Sequence, residues 1–129
     1  MKKKILIVVA DYYKDISKDL INSALIKLKK FKKVQIIKVP GVFEIPVTIS
    51  KKIKNYDAVV ALGCVIKGET PHFDFISKAT TDALMYLSVS YKKPIGNGVI
   101  TCLNKKQALK RGRKGSEAAI AVISVLMQK

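Results

Sequence analysis

Four short apolar runs constrain this chain more than anything else in it: KILIVVA at 4–10, VQIIKV at 34–39, DAVVALGCV at 57–65 and PIGNGVIT at 94–101. Each is rich in β-branched residues and too short for a helix of ordinary length, so each reads as a strand. Between them lie segments with helical spacing. DISKDLINSALIKLKKF repeats Ile16, Leu20, Leu25 and Leu28, and a Pro40-Gly41 turn leads into a short helix through EIPVTISKKI. A long helix is expected over PHFDFISKATTDALMYLSVSY, with closing helices in KKQALKR and GSEAAIAVISVLM. Strands that alternate with amphipathic helices predict a parallel sheet, buried on both faces and joined by right-handed crossovers. The fold class is therefore α/β, a three-layer α/β/α sandwich on a four-stranded parallel sheet. Ligands of such sheets gather at the carboxyl ends of the strands. Here those ends are Asp11 to Tyr13, Gly41 to Glu44, Gly63 to His72 and Thr101 to Asn104.

With 129 residues and neither linker nor internal repeat, residues 1–129 read as one domain. No apolar run approaches a membrane span and the start lacks a signal-peptide pattern, so a soluble, cytoplasmic protein is expected. Cys64 and Cys102 stand far apart with no metal-ligand spacing, which reads as two reduced thiols and no metal site. The net charge of +16 would attract polyanions, but only Arg111 and Arg113 are arginines. Lysines along helices, without arginine forks or exposed aromatics between them, read as solvated faces, so a nucleic-acid partner is not expected.

The only histidine stands in GCVIKGETPHFDFIS, residues 63–77. Pro71 suits the first helical position and Thr70 can cap the amides behind it. Gly68-Glu69-Thr70 reads either as a cradle for an anion or as an ordinary capped helix start. His72 follows in the first turn, where the helix dipole favours a neutral imidazole able to move a proton; a purely structural histidine is the alternative. Asp74 is two residues on and need not be its partner. Phe43 and Glu44 should open a helix facing the same crevice, although Phe43 could equally be core. Arg111, Arg113, Lys114 and Glu117 surround the start of the last helix, as surface charge or as an anion site.

VPGVFEIP, LGCVIKGETPHFDFIS, PIGNGVIT and KGSEAA, in this order and spacing, closely resemble the lumazine synthase family over essentially the whole chain. The resemblance implies a flavodoxin-like topology and the penultimate step of riboflavin biosynthesis. Family members are transferases that condense 5-amino-6-(D-ribitylamino)uracil with 3,4-dihydroxy-2-butanone 4-phosphate, releasing water and phosphate without a cofactor. It also implies roles by position. Tyr12 matches an aromatic ring that stacks on the pyrimidine, and Val42, Phe43 and Glu44 match the segment holding the ribityl chain. Cys64, Val65 and Ile66 match a strand end whose backbone reads the ring. Glu69 and Thr70 match the phosphate turn, Arg111 the phosphate clamp, and His72 the proton-transfer residue. Lys114 matches a lysine that reaches the pyrimidine, and Glu117 an acidic partner near His72. The implied assembly is a homopentamer with sites between subunits, and in some members a 60-subunit shell.

Four features depart from the family pattern. Lys67 stands where arginine is common, keeping charge but losing the planar fork. Asn97 replaces a frequent phenylalanine on the wall contributed across the subunit boundary. The link from Arg111 to Lys114 is shortened, which makes Arg113 an alternative clamp. The first core strand comes at once, so no amino-terminal extension is expected to pair with a neighbour. A phosphoacceptor domain shares the alternating pattern, but Asp57 begins its strand instead of ending it. The archaeal-type riboflavin synthases share the topology, yet GVFEIP and GETPHFDF fit lumazine synthase better. A flavin- or polyanion-binding relative without turnover is the non-enzyme alternative.

Overall fold

The computed structural model describes residues 2–128. In chain order it contains β1 (Lys4–Ala10), α1 (Lys14–Lys27), β2 (Lys33–Val39), a 3-10 turn (Val42–Glu44) and α2 (Ile45–Lys52). A second 3-10 turn (Ile53–Asn55) precedes β3 (Ala58–Ile66), α3 (His72–Tyr91), β4 (Ile95–Cys102), α4 (Lys105–Leu109) and α5 (Lys114–Leu126). All strand pairs are parallel and the order is β2-β1-β3-β4.

The period of two in the strands divides the interior into two cores. Ile5, Ile7 and Val9 of β1, with Val60 and Leu62 of β3, face α1 and α5, where they meet Leu20, Ala24 and Ala119. Leu6 and Val8, with Val59 and Ala61, face α2 and α3 and meet Ile45, Ile49 and Leu84. Each fully buried Ile or Leu of this kind stabilises the fold by about 1.5–3 kcal/mol relative to exposure. Removing Leu20 to alanine would cost about 2–5 kcal/mol.

Burial on both faces holds for β1 and β3 but not for the sheet as a whole. β2 and β4 are the edges, and Ile36 of β2 is 38% exposed, because a helix layer covers an edge strand only in part. The first helix stops at Lys27 instead of running to Phe31, and Ala24, not Leu25, takes the fully buried position. The long helix starts at His72, one residue after the expected Pro71. It ends on Lys92 in the left-handed region (φ 54°), whose N–H meets the last carbonyls of the helix.

Candidate active site

A cleft of about 560 Å3 opens at the carboxyl ends of β1 to β3. It is lined by Tyr12 and Tyr13 after β1, Gly41 to Phe43 after β2, Cys64 to Ile66 of β3, and His72 and Ile76 of α3. Gly63 explains how the turn after β2 reaches the sheet: a Cβ there would lie 2.9 Å from Val42 Cγ2 and 3.1 Å from Ala10 Cβ. The Val42 side chain is consequently buried, leaving Phe43 67% exposed at the rim. Tyr12 is 74% exposed and its ring meets that of Tyr13 edge to face at 4.9 Å, so most of the Tyr12 side chain is open to solvent.

His72 is exposed, and its backbone N–H donates to Thr70 Oγ1 at 3.4 Å. That contact is long for a hydrogen bond, and Pro71 instead of Thr70 stands at the N-cap, so the expected Thr70 cap is not formed. Among the described residues the imidazole has no hydrogen-bond partner and is open to a ligand. The Asp74 backbone N–H returns to Pro71 O, and its carboxylate makes no ion pair with His72. Burial pushes the Cys64 thiol up to about 12, with neighbouring Cys102 adding to the shift. Cys64 is therefore a neutral wall of the cleft and no nucleophile. Burial also raises the Tyr13 hydroxyl, assisted by Cys64 and Tyr12.

A second cleft of about 690 Å3 lies on the exposed edge strand β4 and the start of α5. Asn97, Val99 and Thr101 form its floor, and Lys110, Arg111, Arg113, Lys114 and Glu117 form its walls. Four cations facing one carboxylate make it a place for an anion. Arg111 Nη1 donates to Thr101 O at 3.1 Å and touches Cys102 Sγ at 3.8 Å, which holds the guanidinium against the strand end. Arg113 is exposed; its backbone carbonyl accepts from the Glu117 N–H at 3.1 Å, while its guanidinium makes no hydrogen bond or ion pair among the described residues. The Asn97 side chain turns onto its own strand, accepting from the Val99 N–H at 3.0 Å.

Among the described residues no three His, Cys, Asp or Glu side chains converge as a metal site, and no helix is long and apolar enough to cross a membrane. The sequence profile of 6,7-dimethyl-8-ribityllumazine synthase matches residues 2–129. The chain belongs to the lumazine synthase family. Curated relatives with that name agree along nearly the whole chain. The protein of Corynebacterium kroppenstedtii is 42% identical over 93% of this chain and 80% of its own length. That of Methylobacterium radiotolerans is 42% identical over 98% and 82%, and that of Buchnera aphidicola 39% over 97% and 86%. Among solved structures, an inactive β4 tetramer of a split-gene transketolase aligns with TM-score 0.57 at 11% identity. It covers 97% of this chain but 41% of that one, a likeness of fold alone.

The lumazine synthase positions expected from sequence separate into four groups. Tyr12, Val42, Phe43, Cys64, Val65, Ile66 and His72 share the first cleft. Asn97, Arg111, Lys114 and Glu117 share the second, so within one chain Glu117 does not join His72 in the same cleft. Lys67, Glu69 and Thr70 are exposed on the loop before α3 and line neither. Glu44 lines a neighbouring groove between α2 and α3 that it shares with Phe43, its carboxylate near Gly41 of the first cleft. Sequence reasoning placed Tyr13 at a ligand-facing strand end without giving it a role, and missed Ile76 and Lys110. Ile76 was findable, since it stands one turn after His72 and so on the same helix face.

Proposed function

We propose that this chain, as one cytoplasmic domain, forms 6,7-dimethyl-8-ribityllumazine from the ribitylaminouracil and the butanone phosphate, at sites shared between subunits of a pentamer. The observation that carries the reading is the division of the family's site positions between two clefts of different chemistry. An aromatic and apolar cleft suits the pyrimidine, with Tyr12 as the stacking ring and the backbone of Cys64 to Ile66 reading its edge. Phe43 and Glu44 hold the ribityl chain. Glu69, Thr70 and Arg111 bind the phosphate, Lys67 adds charge beside them, and Lys114 reaches the ring. Asn97 replaces part of the apolar wall.

The chemistry moves protons at each stage. The substrate amine attacks the ketone and water leaves to give an imine; phosphate is then eliminated and the ring closes with loss of a second water. His72 takes and returns protons beside the phosphate, and Glu117 of an adjacent subunit supports it. Positioning and proton transfer suffice for such condensations.

The assembly reading is supported by α3, which exposes Phe75 (68%), Tyr86 (72%) and Val89 (68%). An apolar stripe of this kind is more than a monomer ordinarily leaves in water. Two free, buried cysteines support the cytoplasmic location. The test is to mix the purified chain with both substrates and follow lumazine absorbance against the uncatalysed background. Saturable acceleration is expected; its absence from a folded, oligomeric sample would overturn the reading in favour of a binding protein without turnover.

A further inference from the structure

Lysines that look dispersed in the sequence are gathered by the topology. In an all-parallel sheet every helix-to-strand connection returns to the same edge, the one opposite the ligand end. Here segments 2–4, 27–33, 51–54 and 92–93 all lie on that edge and carry three, five, three and two lysines, with no acidic residue among them. All these lysines are exposed except Lys93, which is half-buried. Of the nine acidic residues in the chain, Asp57 is the one at the starts of the strands, and its carboxylate already accepts the Lys4 N–H at 2.8 Å.

The surface is continuous. Lys4 pairs with Lys33 across β1 and β2, and the Asp57 N–H donates to Lys4 O at 2.8 Å. The Lys93 ammonium donates to Ile53 O at 2.9 Å and thereby ties the start of β4 to the end of α2. Neighbouring strands are about 4.8 Å apart, so the band spans roughly 15 Å across four strand starts, a width comparable to several phosphates of a nucleic-acid strand.

We propose that this lysine edge binds the phosphate backbone of nucleic acid without regard to sequence. Lysine ammonium groups contact phosphates as point charges, whereas reading bases calls for arginine forks or stacked aromatics. The edge has no arginine, since both lie at the opposite end, and its rings are taken up in packing: Phe31 is buried, and Tyr56 and Tyr91 beside the lysine segments are half-buried against the core. Its lysine segments also expose no large apolar side chain that would wedge into a lipid surface. A polyphosphate chain is the partner that its charge matches. The inference is independent of the catalytic reading, since it uses no residue of either cleft.

The experiment follows the anisotropy of a fluorescein-labelled oligothymidylate with the full chain over a salt series. Two triple variants of equal charge accompany it: Lys29→Glu/Lys51→Glu/Lys54→Glu on the lysine edge, and Lys18→Glu/Lys38→Glu/Lys106→Glu at the other end. Affinity of the unaltered chain should fall steeply with salt, with a log–log slope of about −4 for some six phosphates on a single strand. The edge variant should bind at least ~10-fold more weakly, and the other variant should lose less than about a third as much. Glutamine replacements at the same positions keep the comparison if a reversed set fails to fold. Equal loss in both variants, or no binding by the unaltered chain near physiological salt, would overturn the proposal. So would binding to phosphatidylserine vesicles without binding to the oligonucleotide, which would assign the edge to a membrane surface.

Discussion

The cleft above β1 to β3 offers rings, aliphatic walls and one imidazole, while the cleft beside β4 offers four cations around an amide and a carboxylate. The first could hold a flat heterocycle but has little with which to neutralise a phosphate dianion. The second could hold the dianion but has no ring to stack on and no imidazole. Their chemistry is complementary and their residues do not overlap, which is what a site assembled from neighbouring copies would require of each copy. On the proposed roles, Glu117 and His72 would meet only across two copies, because within one chain they line different clefts.

That comparison breaks most visibly if the copies are separated. Dilution or mild denaturant that yields a folded monomer should reduce turnover to the uncatalysed background, read by light scattering and lumazine absorbance on the same samples; an active monomer would sink the shared site. Within the first cleft, His72→Ala should slow turnover by about 10 to 1,000-fold with little change in melting temperature, at or below the roughly 100- to 10,000-fold typical of one proton-transfer group because positioning carries part of the rate. An unchanged rate would remove the imidazole from the mechanism. Within the second, Arg111→Ala and Arg113→Ala test which guanidinium meets phosphate. The clamp should raise KM for the butanone phosphate by about 10-fold or more on removal, as expected for a charged hydrogen bond. Arg111→Ala should in either case lower stability, because Thr101 O loses its partner.

A smaller effect sharpens the apolar side of the comparison. Asn97→Phe should lower KM for the ribitylaminouracil by a few-fold, roughly the gain from one added ring contact; a rise would show that the amide is used. The last test concerns Cys64, whose thiol is raised from 9.0 to about 12 mainly by burial. The folded chain keeps a proton that the unfolded chain gives up, so this contribution to stability is complete below pH 9 and is lost as pH rises toward 12. The urea midpoint should decline over that window in the natural chain and decline less in Cys64→Ala; parallel curves would mean the thiol titrates normally.

The strands were legible to within a residue because β-branched runs bounded by turns leave few alternatives, as β1 at Lys4–Ala10 illustrates. What the residues near His72 could not convey was distance. Spacing places Glu117 in the first turn of a helix but says nothing of which cleft that turn faces, and resemblance supplied a pairing that a lone chain does not make. Edge exposure was equally invisible, since Ile36 and Ile37 read as buried in any apolar run while the order of strands decides which is covered. The lysines taught the same lesson: their positions in sequence suggested dispersal, and only the connections show that they share an edge.

The contact between α1 and α5 bears on how the protein moves. A Cβ on Gly115 would stand 2.0 Å from Leu20 O, and one on Gly96 would stand 2.3 Å from Ala118 O, so α5 lies with its backbone against both helix α1 and strand β4. Ser23 adds bolts on the same seam, its hydroxyl donating to Gly112 O at 2.6 Å and accepting from the Ser116 N–H at 3.0 Å. Neither helix can slide without collision. The cationic wall thus travels with the sheet as one rigid piece, and on the proposed shared site any breathing that admits substrate or lets product escape would fall to the contact between copies or to the exposed loop from Lys67 to Thr70.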